Sequence, residues 1–315
     1  MSDYFIYYCI SMKHFIYFSL LLVLSSCDFS NEKPRSTTFW IDNPLETPIT
    51  ISIDGKKHEI AANSQLLLEL KSGRHSLDYN NEQINFVVKP NDQQVIMNPT
   101  LSNYVFYNEI YSEIGKNAEE EVERAYKAYL YDYYLPSGDT VKVPFKLVSD
   151  FFIGRYNYYW HLNPTEPFPN TAKINKGGSN LSTAPQSKIF REHDFYSYIG
   201  EELAAEFRFP KNETKLSDLK PFEFMPDSLH FDCAPAEKVL QLKRAQFDSL
   251  QTADHSEMRA LYNRFSNQKD MSNVRNECSP SDNKSLDPNS NYGDLEKVMS
   301  NRVSELSENS AFIVK

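Results

Sequence analysis

Residues 42–60 read DNPLETPITISIDGKKHEI, and the alternation inside this stretch decides the fold of the first part of the chain. Ile49, Ile51 and Ile53 alternate with Thr50 and Ser52, which puts three β-branched apolar side chains on one face of a strand. The run stops at Asp54-Gly55, a pair that tolerates the positive φ of a tight hairpin turn. Outward from there, short strands are predicted at Leu66–Leu70, at His75–Tyr79 after the turn residue Gly73, at Ile84–Val88 and at Gln94–Met97. Many short strands separated by turns predict a small β-sandwich over residues 37–99.

Residues 42–60, taken with LLLELKSGRHSL at 66–77, resemble the PEGA type of small extracytoplasmic β-domain, where a strand, an Asp-Gly turn and a later Gly-x-His strand recur. The resemblance implies an Ig-like or transthyretin-like sandwich and no catalytic role, since the matching motifs are turn chemistry. His75 lies in a predicted strand with no second ligand nearby and reads as structural.

Residues 100–232 predict a mixed α+β domain. Val122, Ala125, Tyr126, Tyr129, Leu130 and Tyr133 fall at helical spacing, with Asn117 as cap and Glu119, Glu120 and Glu121 in the first turn, where the helix dipole favours acids. Pro136-Ser137-Gly138 is expected to end that helix. Val141, Val143, Phe145 and Leu147 then alternate with polar residues around Pro144, which predicts an edge strand. A following strand would put Phe152, Tyr156, Tyr158 and Trp160 on one face and pair with it as a hairpin. Asn163–Gln186 is rich in loop-forming residues and predicts a long loop.

The C-terminal region, 233–315, is predicted helical. Pro235 suits a first turn, and Val239, Leu240, Leu242, Phe247 and Leu250 supply apolar faces. A second helix is expected to start at Asp254, with Glu257 at capping-box spacing, and a linker at Ser279–Asn291 precedes a short last helix through Leu295, Val298, Met299 and Val303. The expected fold class is therefore α+β: an N-terminal β-sandwich, a mixed α+β domain and a disulfide-stapled C-terminal helical hairpin.

At the other end, His14–Ser26 reads HFIYFSLLLVLSS, an apolar run too short to span a bilayer comfortably, which needs about 20 apolar residues. With Lys13 before it and Leu24-Ser25-Ser26-Cys27 closing it, residues 1–26 resemble a bacterial lipoprotein signal peptide. The resemblance implies that Cys27 is diacylglyceryl-modified, becomes the first mature residue and fixes the protein to a membrane, with 27–36 as a tether and the body facing the periplasm or the exterior. The alternative is a simple apolar anchor with an incidental cysteine. Residues before Met12 carry Asp3 and no base, so Met12 is a second candidate start.

The net charge of -10 and the lack of a basic patch argue against nucleic acid and against charge-driven membrane binding. With Cys9 and Cys27 assigned to the signal and anchor, Cys233 and Cys278 are the pair left in the body, and outside the cytoplasm such a pair tends to be joined. No phosphate loop, nucleophile elbow or metal-helix motif is present, and no cofactor is called for. His161, His193 with Asp194, and His230 with Asp232 are the loose candidates for a metal or acid-base site of a hydrolase. Tyr156, Tyr158 and Trp160 are the candidate ligand face, of a kind that stacks on sugars or peptides, and a buried strand face is the alternative that aromatic packing favours. The reading that follows is a non-enzymatic, lipid-anchored envelope protein that binds a protein partner, for example an immunity or assembly factor. A glycan- or peptidoglycan-binding lipoprotein is the alternative, and a hydrolase the third class.

Overall fold

Alternation in the strands does more here than form one sandwich, because three sheets in turn use both of their faces. In the computed structural model the described residues are 36–90, 94–113, 118–135, 137–172, 183–200, 204–205, 207–278 and 291–315. Residues 35–315 form one compact unit. The expected cap Asn117, the anchor Cys27 and most of the 279–291 linker lie outside the described residues.

The strands are β1 (Ser36–Asn43), β2 (Ile49–Ile53), β3 (Lys56–Ile60), β4 (Ser64–Lys71), β5 (Gly73–Tyr79), β6 (Glu82–Val88), β7 (Val95–Met97), β8 (Tyr104–Ser112), β9 (Tyr131–Tyr134), β10 (Thr140–Val143), β11 (Phe145–Val148), β12 (Phe152–Gly154), β13 (Thr183–Arg191) and β14 (Ala311–Val314). One sheet runs β12-β7-β1-β4 and a second β14-β6-β5-β2-β3. They face each other across Phe39, Ile41, Ile51, Ile53, Leu77 and Phe86, which makes the expected α+β fold with its N-terminal sandwich. Each such fully buried apolar side chain contributes about 1.5–3 kcal/mol. Late strands complete both sheets: β12 pairs antiparallel with β7, and β14 with β6.

The other face of the first sheet, through Trp40, Ile96 and Ile153, packs on a third sheet of order β11-β8-β13, through Tyr104, Phe106 and Ile189. The other face of the second sheet, through Val87, Phe312 and Val314, is covered by helices. These are α4 (Ala234–Thr252), α5 (His255–Ser266), α6 (Lys269–Cys278) and α7 (Tyr292–Glu308); α1 (Ala118–Lys127), α2 (Arg155–Tyr158) and α3 (Glu192–Ile199) come earlier. Gly73 is required where β5 passes beneath the α4–α5 turn. Its φ is +128°, and an added Cβ would meet the His255 backbone nitrogen at 3.2 Å.

The C-terminal helices begin where their caps predict. Asp254 accepts from the backbone N–H groups of Ser256 and Glu257, and Pro235 lies in the first turn of α4. Cys233, at the start of α4, is bonded to Cys278, the last residue of α6, with the Cα atoms 5.7 Å apart. The return path to Cys233 takes two helices, α5 and α6, rather than one.

Several expectations are corrected. The loop expected over 163–186 gives way to β13 at Thr183, the last helix, α7, runs 17 residues instead of being short, and the region expected to be helical ends in β14. The helix at 118 stops at Lys127, and Tyr131–Tyr134 forms a strand that pairs with Thr140–Val143, so the 137–138 turn closes a hairpin instead of ending a helix. Pro144, which has no N–H, splits the expected edge strand: β10 pairs with β9, and β11 becomes an edge of the third sheet beside β8. The aromatic stretch 151–160 is not one strand. It is the three-residue β12, then the one-turn α2, then Tyr159 in the left-handed region at φ 51°. The hairpin expected between these two segments does not form.

Candidate functional site

Breaking that strand removes the face predicted from Tyr156, Tyr158 and Trp160. Trp160 is 1% exposed in the core between the first and third sheets, and the Tyr158 hydroxyl, half-buried, donates to Asp150. The side chain of Tyr156 lies outside the described residues. The exposed aromatic here is Tyr159, at 71%.

The three histidines do not converge, and each is engaged locally. His193 pairs with its neighbour Asp194 at 3.0 Å, and His230 with Glu237 at 3.2 Å. The Nδ1 atom of His161 lies 2.9 Å from Ser187 Oγ and accepts from the Ser187 backbone N–H at 3.1 Å. That Ser–His pair lacks the arrangement of an activated nucleophile. The serine is buried and donates its hydroxyl proton to the Tyr159 carbonyl. Burial, with the Arg155 guanidinium adding to it, holds His161 below its ordinary value. Among the described residues no group of three His, Cys, Asp or Glu side chains could hold a metal ion. His75 bridges Asp54 (2.7 Å) and the Lys71 carbonyl (2.8 Å) and stacks on Phe86, a structural role.

The third sheet carries a site that sequence reasoning missed. Along β13, Ile189 points to the sandwich, so Lys188 and Phe190 share the opposite face, beside α3. Tyr107 of β8 pairs in register with Lys188 and brings its ring to that face. The incoming chain is fixed there because the backbone N–H groups of His161 and Leu162 donate to the Ser187 carbonyl and that of Ile189 donates back to Leu162. Asn163 then turns the chain, accepting from the Thr165 backbone at 2.9 Å and donating its own N–H to Glu166 at 2.8 Å. Phe168 is thereby laid against Phe190 and Tyr198, with ring centroids 5.9 and 5.6 Å away.

The result is an open cleft of about 670 Å³ bounded by Pro164, Phe168, Lys188, Phe190, Asp194 and Tyr198. Tyr198 is 44% exposed and donates to Glu109 at 2.8 Å. Its hydroxyl proton is held tightly, since burial first and the Glu109 carboxylate second raise its pKa. Lys188 is 7% exposed, with Nζ 4.3 Å from the Phe190 ring centroid. Burial pushes its ammonium below the usual lysine range, against the opposing pull of Asp194 and Glu166. In the neighbouring groove, by contrast, the polar groups are committed to each other: Tyr196 donates to Glu192 and accepts from the Phe209 backbone.

Comparison of the chain with protein-family models, with curated proteins and with solved structures gave no match.

Proposed function

We propose that this is a lipid-anchored protein of the bacterial cell envelope that works by binding a protein partner, with Cys27 as the lipidated residue and residues 1–26 as its export signal. The single observation that carries the envelope assignment is the bond between Cys233 and Cys278, the two body cysteines, since such a bond persists in an oxidising compartment. It accords with the Leu24-Ser25-Ser26-Cys27 sequence ahead of the fold. Binding, rather than turnover, is supported by the local engagement of His161, His193 and His230, and by an open cleft where Phe168, Phe190 and Tyr198 lie beside Lys188. Diacylglycerol supplies two chains, and two hold a protein at a membrane stably where one does not.

The test has two parts. Full-length protein and the Cys27→Ser variant are expressed with labelled palmitate and fractionated. Label and membrane association are expected in the first and lost in the second, and unlabelled wild-type protein would overturn the anchor. Detergent-solubilised full-length protein is then used for affinity capture from envelope extract. A stoichiometric protein partner is expected; an empty capture with folded bait would transfer the weight to glycans.

A further inference from the structure

Three lysines are buried among the described residues, and two of them donate to backbone carbonyls. Lys89 donates to the Leu306 and Ser307 carbonyls at the end of α7. Lys243 donates to the carbonyls of Arg264 (3.0 Å), Phe265 (2.9 Å) and Asn267 (2.5 Å), where α5 ends, and lies 3.7 Å from Asp270. Lys188 differs, because among the described residues its amine has no hydrogen-bond or ion-pair partner, and it faces the rings of Phe190 and Phe168. Ring faces attract a cation but accept none of its three N–H donors in the way an oxygen does. The stem of Lys188 is buried, while its amine opens to the cleft, where a ligand oxygen can take the place of water as its acceptor.

We propose that the cleft between β13, α3 and the 163–168 loop binds a carboxylate borne on an aromatic or apolar body, with Lys188 receiving the carboxylate and Phe168 and Tyr198 the body. The inference rests on the reading of the chain as a binding protein and assigns that reading a ligand class. Both nearby acids have other partners: Asp194 pairs with His193, and Glu166 accepts from the Asn163 backbone. Their charge still reaches Lys188, which favours a monoanion over a phosphate dianion at this place. Arg191, at the same wall, is occupied by Asp42 and adds no free donor fork. The volume, about 670 Å³, lies within the range of small-molecule sites, and rings beside a few placed polar groups are the usual composition of such sites.

The experiment titrates full-length protein in detergent with phenylacetate and, separately, with phenylacetamide, the neutral isostere, read by calorimetry and by ligand-observed NMR. Phenylacetate is expected to bind at least about tenfold more tightly than the amide, as charge-assisted hydrogen bonds require. Lys188→Met should reduce the acid to the level of the amide, and Tyr198→Ala should weaken both. Lys188→Arg, which keeps the charge, should retain the preference for the acid if the Met variant folds poorly. Equal binding of acid and amide by the wild type, or no binding of either at millimolar ligand, overturns the site. That result together with a captured protein partner would leave the binding role standing without this ligand. A clear acid preference with an empty capture would support the site and remove the protein-partner reading.

Discussion

Arg191, the last residue of β13, grips Asp42 of β1 through two parallel N–H···O bonds, Nε to Oδ2 at 2.9 Å and Nη2 to Oδ1 at 2.5 Å. Both side chains are buried, the Tyr104 hydroxyl donates to the same carboxylate at 2.7 Å, and Arg191 Nη1 donates to the Asn63 carbonyl at 2.8 Å. This pair ties the first sheet to the wall of the cleft. Removing one partner leaves a buried charge without compensation, so Arg191→Met is expected to cost about 3–5 kcal/mol. The double variant Asp42→Leu/Arg191→Met should cost less than Arg191→Met alone. Urea denaturation monitored by circular dichroism measures both, and a single variant as stable as wild type would refute the clamp.

The Cys233–Cys278 bond closes a loop of 45 residues. On the chain-entropy argument its loss costs about 4 kcal/mol. The Cys233→Ser/Cys278→Ser variant should therefore unfold at markedly lower urea concentration, and added reductant should move the wild type but not the variant.

Burial holds the Lys89 ammonium down to about 7 from the ordinary 10.5, with the Glu308 carboxylate partly opposing it. Between those values the unfolded chain keeps a proton that the folded chain releases, so the stability contributed at Lys89 rises with pH across the window and is flat below it. Measured against Lys89→Met, wild-type stability should climb by at most about 1.4 kcal/mol per pH unit between pH 7 and 10.5. A difference that stays flat over this window would show that the α7 carbonyls, not burial, govern the amine.

Trp40 and Trp160 are the two tryptophans, with ring centroids 6.4 Å apart. In a Trp40→Phe variant Trp160 reports alone. Its emission should be blue-shifted and weakly quenched by acrylamide, and soluble glycans should leave it unchanged. Strong quenching would restore the alternative of an exposed aromatic face.

Local signals were legible wherever a short stretch determines its own geometry. Ile49–Ile53 with Asp54-Gly55, Asp254 with Glu257, and Pro235 gave the strand, cap and helix start in place. What local periodicity could not reveal is which strand a segment meets. Tyr133 satisfies both a helical and an alternating pattern, and its ring is consumed by Phe145, Phe207 and Phe209. The sequence leaves Trp160 open between a buried strand face and a ligand surface, and the third sheet decides it by covering the ring. The cleft was hidden for the same reason. Lys188 and Phe190 in KIFREHDFYSYI at 188–199 show a shared face, but Tyr107 and Phe168 come to it through pairings of β13 with β8 and of Leu162 with Lys188.

The pairing of β14 with β6, from Ala311 opposite Val88 to Val314 opposite Asn85, has a consequence for how the molecule comes into being. A chain delivered from its N-terminus first presents β6 with one flank open and Val87 uncovered while the whole helical region is still to arrive. Contacts so remote in sequence form slowly, and unpaired strand flanks invite association with other chains in the interval. The sandwich, although encoded early, is thus completed last, and the vulnerable moment in this protein's life is the delay between the appearance of its first sheet and the arrival of its final strand.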